Sequence, residues 1–299
     1  MPEMLIEVEG HNGDVITIHG KGKGSQGAVL GEHPEGIYDE PTESIWNSHA
    51  FQTGADFGGI RVNKRDVVLG MEFVPQPGLG LADSMSRFRQ AWSYKADSKL
   101  WIETPDTRRH VPLRISETLK CAPDVDVFVQ EHAHVIYSLT AGKPRWLEPD
   151  VTKKWKSTTD TTDGSTAVGY VPVSNPTAQN MWLKWTVQAY PGAVYKLADY
   201  SFGDDRYERA EEDATRMVPL PSLIAGEHLV VNTDEEEDQV TSSLDTQVWM
   251  RMEGRTFCYP VPPNTKKTML RVEVTGAPAG VGVQVRCPRE YAHPFLMES

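Results

Sequence analysis

The sequence predicts a mainly β protein (α+β) in two parts, an N-terminal domain over 1–150 and a C-terminal β-sandwich over 151–299. Three observations lead there. Residues 65–74, RDVVLGMEFV, put Val67, Leu69, Met71 and Phe73 on one side of a period-two pattern, the mark of a strand with one buried face. Residues 81–94, LADSMSRFRQAWSY, set Leu81, Met85, Phe88 and Trp92 at helical spacing, so that one face of a helix is apolar. From Cys121 onward, short apolar alternations recur roughly every eight to twelve residues between Pro/Gly turns, as in a sandwich or barrel.

In chain order, MLIEVEG and VITIHG flank Asn12-Gly13-Asp14, a tight hairpin signal. Residues 20–31, GKGKGSQGAVLG, lack the GxxxxGK[ST] pattern of a phosphate-cradling loop, and no apolar strand leads from them into a capped helix. A flexible loop that orders against a neighbour is expected there. Residues 36–62 scatter Tyr38, Trp46 and Phe51 through Pro, Gly and polar positions, which reads as long irregular chain with aromatic anchors. After the strand at 65–74, Asp83 and Ser84 offer capping oxygens to the helix. KLWIET and RRHVPLRISETLK form a hairpin around Thr104-Pro105-Asp106-Thr107, so strand, helix and hairpin make a small α+β unit.

Beyond it, DVDVFVQ and HAHVIYSLTAG alternate like strands. His132 and His134 share a face there; a metal pair with Glu131 or another histidine is one reading, and ordinary strand histidines the favoured one. Residues 150–170 read as a loop or edge strand near a domain junction. In the next stretch Met181, Leu183, Trp185 and Val187 follow one parity and Trp182 with Lys184 the other, which predicts a strand apolar on both faces. Trp182, Trp185 and Trp249 are expected in the core. Asp234-Glu235-Glu236-Glu237-Asp238 lacks the spacing and glycine of an EF-hand loop and reads as a solvated hairpin tip. VWMRMEGRTFCYPVPP predicts a hairpin turning at Glu253-Gly254, and TMLRVEVTGAPAGVGVQVRCPRE another turning through Gly276–Gly280. The closing YAHPFLMES is expected to lie along a neighbouring surface.

Composition narrows the function. A formal net charge of −12 argues against nucleic-acid binding, which needs clustered bases. No apolar run is long enough for a membrane span, and MPEMLIEVEG has neither the basic nor the apolar region of a signal peptide. Three distant cysteines, Cys121, Cys258 and Cys287, fit neither a disulfide framework nor a zinc site and suit a reducing cytosol. GxSxG and HExxH are absent, and no GxGxxG stands between a strand and a helix. No catalytic, cofactor-binding or metal residues are assigned, and no enzyme is expected.

RDVVLGMEFV, FRQAW and LWIETPDTRRHVPLRISE, followed by NPTAQNMWLKW, YSFGDDR, LPSLIAGEHLVVNTD and VWMRMEGRTFCYPVPPNT, resemble the distal tail protein family among the minor tail proteins of long-tailed actinobacteriophages. The resemblance covers most of the chain. It implies an N-terminal split-barrel-like sheet with one packed helix and a galectin-like jelly-roll sandwich. It also implies a structural virion protein, made in the host bacterial cytoplasm, that forms a hexameric ring at the tail tip. The implied partners are sister copies, the major tail tube protein, the tip hub or baseplate, other minor tail proteins and the tape measure protein. In that ring, strands 65–74 and 99–118 of neighbouring copies are expected to form a continuous inner sheet wall with the helix outside. The alternatives are a carbohydrate-binding adhesion module and a wall hydrolase with an unrecognised carboxylate pair.

Overall fold

The computed structural model describes residues 4–296. Over them the chain is mainly β, with 41% strand against 6% helix. It divides into two units, one holding the residues up to Glu148 together with the segment from Tyr291, the other Pro149–Glu290.

The first unit contains β1 (Leu5–Glu9), β2 (Val15–His19), β3 (Ala28–Leu30), β4 (Thr42–Asn47), β5 (Asp56–Val62), β6 (Arg65–Phe73), α1 (Leu81–Gln90), β7 (Ser98–Glu103), β8 (Arg108–Ile115), α2 (Val127–Gln130), β9 (Ala133–Ala141) and β10 (Trp146–Leu147). Its antiparallel sheet runs β2-β1-β7-β8-β9-β6-β3, and its two end strands come back beside one another, so the sheet nearly closes on itself. The period-two residues Val67, Leu69, Met71 and Phe73 of β6 are buried inside it, with Leu100, Val111, Tyr137 and Leu139 from β7, β8 and β9. Helix α1 covers this interior through Leu81, Ser84 and Phe88. The Phe88 ring stands edge-on to Phe73 at 5.7 Å and to Tyr137 at 5.1 Å.

Several expectations for this half need correction. Gly80, not Asp83 or Ser84, caps α1, with no side-chain bond; Ser84 lies inside the helix, where its hydroxyl donates to Gly80 O at 3.1 Å. Trp92 is buried but lies past the helix end. DVDVFVQ is not a strand: the Asp126 carboxylate accepts from Phe128 N at 2.9 Å and Glu131 turns left-handed, which closes the short helix α2. Residues 20–27 are ordered by consecutive tight turns, Lys23 N to Gly20 O, Ser25 N to Gly22 O and Gly27 N to Gly24 O, and by Gln26, which accepts from Thr17 N at 3.1 Å and donates to Val15 O at 3.0 Å. Within the unit β6 is bonded to β9 along its length and to β3 at Met71–Phe73, and β8 to β7 along its length but to β9 only at Arg114 and Ile115.

The segment from Tyr291 belongs to this unit. Tyr291 is buried, with the Arg109 guanidinium 3.4 Å over its ring. Buried Arg109 also donates to His293 O at 2.9 Å and Leu296 O at 2.8 Å. Through Leu296 this segment therefore lies on its own unit rather than on a neighbour; the rest of YAHPFLMES falls outside the described residues.

The second unit contains β11 (Val151–Lys156), β12 (Thr166–Asn175), β13 (Lys184–Val187), β14 (Val194–Ala198), β15 (Met217–Pro219), β16 (Leu229–Asn232), β17 (Val240–Ser242), a 3₁₀ helix (Val248–Met252), β18 (Thr265–Thr275) and β19 (Gly282–Cys287). A five-stranded sheet, β11-β19-β13-β16-β17, and a four-stranded sheet, β12-β18-β14-β15, share one core that includes Trp185, Val187, Tyr195, Val272 and Val285. Trp155 at the sandwich side lies on Gly169, where a β-carbon would run into its indole.

Here too the sequence reading is corrected. β18 and β19 belong to different sheets, so Gly276–Gly280 crosses the sandwich instead of closing a hairpin. The stretch around Glu253-Gly254 is a 3₁₀ helix, stopped where both residues turn left-handed. The stretch leading into and along β13 is one-sided: Met181, Leu183, Trp185 and Val187 are buried, Trp182 is half-buried and Thr186 is exposed.

Candidate assembly surface

The segment expected to be irregular is a two-stranded ribbon. Among the described residues β4 and β5 pair with each other and with no other strand, and every residue of both is exposed except Gly59. The register sets Thr42 against Val62, Ser44 against Ile60 and Trp46 against Phe57, with a bulge after Ile45 that skips Gly58. Directly opposed residues share a face, so Trp46, Phe57, Ile60 and Val62 gather on one side. The Trp46 and Phe57 rings meet at 5.6 Å in a T-shaped pair, yet each is 60% exposed, and Ile60 is 63% exposed. Phe51 at the ribbon's turn is fully exposed. A hairpin alone is marginal in water, and an apolar face of this kind marks an interaction surface.

The ribbon's root is fixed by a buried cation. Arg65, 1% exposed, donates to the carbonyls of Gly36 at 2.8 Å, Ile37 at 3.2 Å, Asp39 at 2.8 Å, Pro144 at 2.5 Å and Ala292 at 3.1 Å. Burial lowers its pKa to about 10, with Glu40 and Asp39 opposing the drop, so the guanidinium stays charged at neutral pH. Gly36 sits left-handed at this root, where a β-carbon would collide with Asp66 O. Arg145 Nε meets Glu40 Oε1 at 2.7 Å and Trp146 Nε1 donates to Ile37 O at 3.2 Å, so both ends of the chain leading into the ribbon are held. Sequence reasoning marked Trp46 and Phe51 as anchors but missed Phe57, Ile60 and Arg65. The bulge and Gly58-Gly59 break the alternation that would have revealed a strand.

The other residues singled out from sequence fall elsewhere. His132 and His134 do converge, on Glu72 of β6: His132 Nε2 is 2.7 Å from Oε2 and His134 Nδ1 is 2.7 Å from Oε1. Each imidazole occupies one carboxylate oxygen, and no group of three or more ligands suited to a metal is found among the described residues. Cys121 is exposed, Cys258 half-buried and Cys287 buried, and none is in a disulfide. Burial pushes the Cys287 thiol up to about 11, which keeps it protonated. Trp185 is core, whereas Trp249 is 50% exposed on the 3₁₀ helix. The acidic run Asp234–Asp238 is the turn between β16 and β17. Among the described residues no helix is long and apolar enough to cross a membrane.

No family model matches the chain. It is 28% identical to the minor tail protein Gp27 of Mycobacterium phage D29 and 28% identical to that of Mycobacterium phage L5, spanning 99% of both chains in each comparison. Among solved structures it resembles the SPP1 Dit protein, described as a paradigm of the hub adsorption apparatus in phages infecting Gram-positive bacteria, with a TM-score of 0.58 at 10% identity over 96% of this chain and 99% of that one. A chain of the phage P2 baseplate in its activated conformation with Ca gives a TM-score of 0.57 at 10% identity over 99% and 100% of the two chains. Two findings, similarity to mycobacteriophage minor tail proteins along the whole chain and a fold shared with Dit and baseplate chains, agree with a two-unit β architecture that carries an exposed apolar ribbon.

Proposed function

We propose that the protein forms a ring of sister copies, six by the family resemblance, at the distal end of a phage tail, where it joins the tail tube to the tip or baseplate. In this reading the N-terminal domain, 1–150, builds the ring, and the C-terminal sandwich, 151–299, is directed towards tip, receptor-binding and other minor tail proteins. The observation that carries it is the β4–β5 ribbon, whose apolar face is left exposed by the described residues. Large exposed aromatic residues of this kind each offer roughly 100–150 Å² of burial. Trp46 and Phe57 alone thus supply a part, roughly 200–300 Å², of the ~800 Å² that one partner contributes to an ordinary stable interface.

A closed ring also needs two different surfaces per copy, because a head-to-tail contact joins unlike patches. The protruding ribbon supplies one of them. No catalytic activity is indicated for such a component. A symmetric average of assembled tail ends tests the proposal: a ring with ribbons seated on neighbours is expected, and isolated copies with ribbons in solvent would defeat it.

A further inference from the structure

We propose that the C-terminal sandwiches also make a head-to-tail contact, in which the acidic β16–β17 turn of one copy docks on a basic sheet face of the next. This rests on the ring reading above and adds a second, electrostatic interface to it.

The basic face is the outer side of the five-stranded sheet. The register places Lys154 beside Gln284 and Thr186, and Thr152 beside Arg286 and Lys184. These two rows are two residues apart on every strand, so they share a face, opposite the buried Trp185 and Val285. Lys156, across from Gly282, extends the same row of β11. Lys154, Lys156, Lys184 and Arg286 therefore gather on one polar surface of a chain whose net charge is −12. Among the described residues Lys154, Lys156 and Lys184 make no ion pair, and Arg286 has only Asp150 at 3.8 Å. The arginines elsewhere in this unit are used internally: Arg206 with Asp204, Arg216 with Asp199 and Arg251 with Glu227. The lysine face is a concentration of positive charge on one side of this sheet.

The acidic turn is its complement in charge and in form. Glu235 and Glu236 are exposed at the tip of a hairpin whose strands pair Val231 with Val240. The tip is held rigid by Asp234 N to Asn232 Oδ1 at 3.3 Å, Glu236 N to Asp234 Oδ1 at 3.1 Å and Asn232 N to Gln239 O at 2.8 Å. Buried Gln239 ties that base to Phe257 O at 2.8 Å. A preformed tip loses little freedom on docking. β17 and β11 are the opposite edges of one sheet, roughly 19 Å apart at one strand spacing each. Lys184, paired with Asn232, lies beside the acidic turn, but Lys154 and Lys156 on β11 are three to four strand spacings, roughly 14–19 Å, from it, well beyond the about 8 Å over which screening acts at physiological salt. Unlike patches at two ends of one element generate a heterologous contact, the kind that closes rings.

The test is the mass of the full chain in solution against protein concentration, read for wild type, for K154E/K156E, for E235K/E236K and for the variant with all four changes. Each pair alone is expected to weaken self-association about tenfold or more, and the fourfold variant to restore it to within about threefold, because charge is exchanged rather than removed. Raising NaCl should weaken the wild type and the fourfold variant alike. Rings that form equally well with either reversal, or a fourfold variant that stays weak, would overturn this contact while leaving the ring reading intact. A wild-type chain that remains monomeric at every concentration would overturn both.

Discussion

Arg65 carries five backbone hydrogen bonds and, in the N-terminal half, does what no local motif announces. Its partners Gly36, Asp39, Pro144 and Ala292 are remote in sequence, so from RDVVLGMEFV alone the residue reads as a charge at a strand's beginning. Arg65→Met is expected to destabilise the protein by about 3 kcal/mol or more in denaturant melts, because it strands buried carbonyls. Arg65→Lys should fare little better, lacking the planar fork that reaches several acceptors at once. Glu227 makes the matching point in the second unit. Burial raises its pKa, but hydrogen bonds from Thr246, Arg251, Ile224 N and Ser242 outweigh that and hold it below its ordinary 4.5. A carboxylate depressed on folding contributes stability that is present in full above its ordinary value and is lost as pH falls through the folded one. Acid melts of the wild type should therefore steepen below about pH 4.5, and Glu227→Gln, less stable at pH 7, should show a shallower acid slope.

At the scale of elements, strict periodicity was legible and local overrides were not. β6, β9 and α1 follow from spacing, because each buries one face against the core. α2 does not follow, because a cap at Asp126 and a left-handed Glu131 defeat the alternation of DVDVFVQ. The turn through Gly276–Gly280 shows a different limit: a glycine-rich connection says that the chain reverses, not which sheet it re-enters. The ribbon was half legible, its aromatics visible and its strands hidden by the bulge. Two variants separate core from surface here. Phe88→Ala removes a fully buried ring and is expected to cost about 3–5 kcal/mol. The double change Trp46→Ser and Phe57→Ser, on exposed positions, should leave the melt within about 0.5 kcal/mol of wild type. It should nonetheless abolish self-association measured by mass in solution; an unaltered mass would remove the ribbon from the interface.

For the molecule as a whole, two separate cores predict unfolding in two steps rather than one, with Phe88→Ala shifting one transition and Glu227→Gln the other in a denaturant titration followed by fluorescence. The two units also differ in how they are threaded. The sandwich is one continuous run, whereas the N-terminal unit leaves the chain at Glu148 and regains it at Tyr291. Made from its first residue onward, that unit has no ring for Arg109 to cover and no carbonyl from Ala292 for Arg65 until the whole sandwich has been translated. A polypeptide halted before Tyr291 therefore carries the ribbon on an unfinished base, with the last contacts of its first unit still to be made.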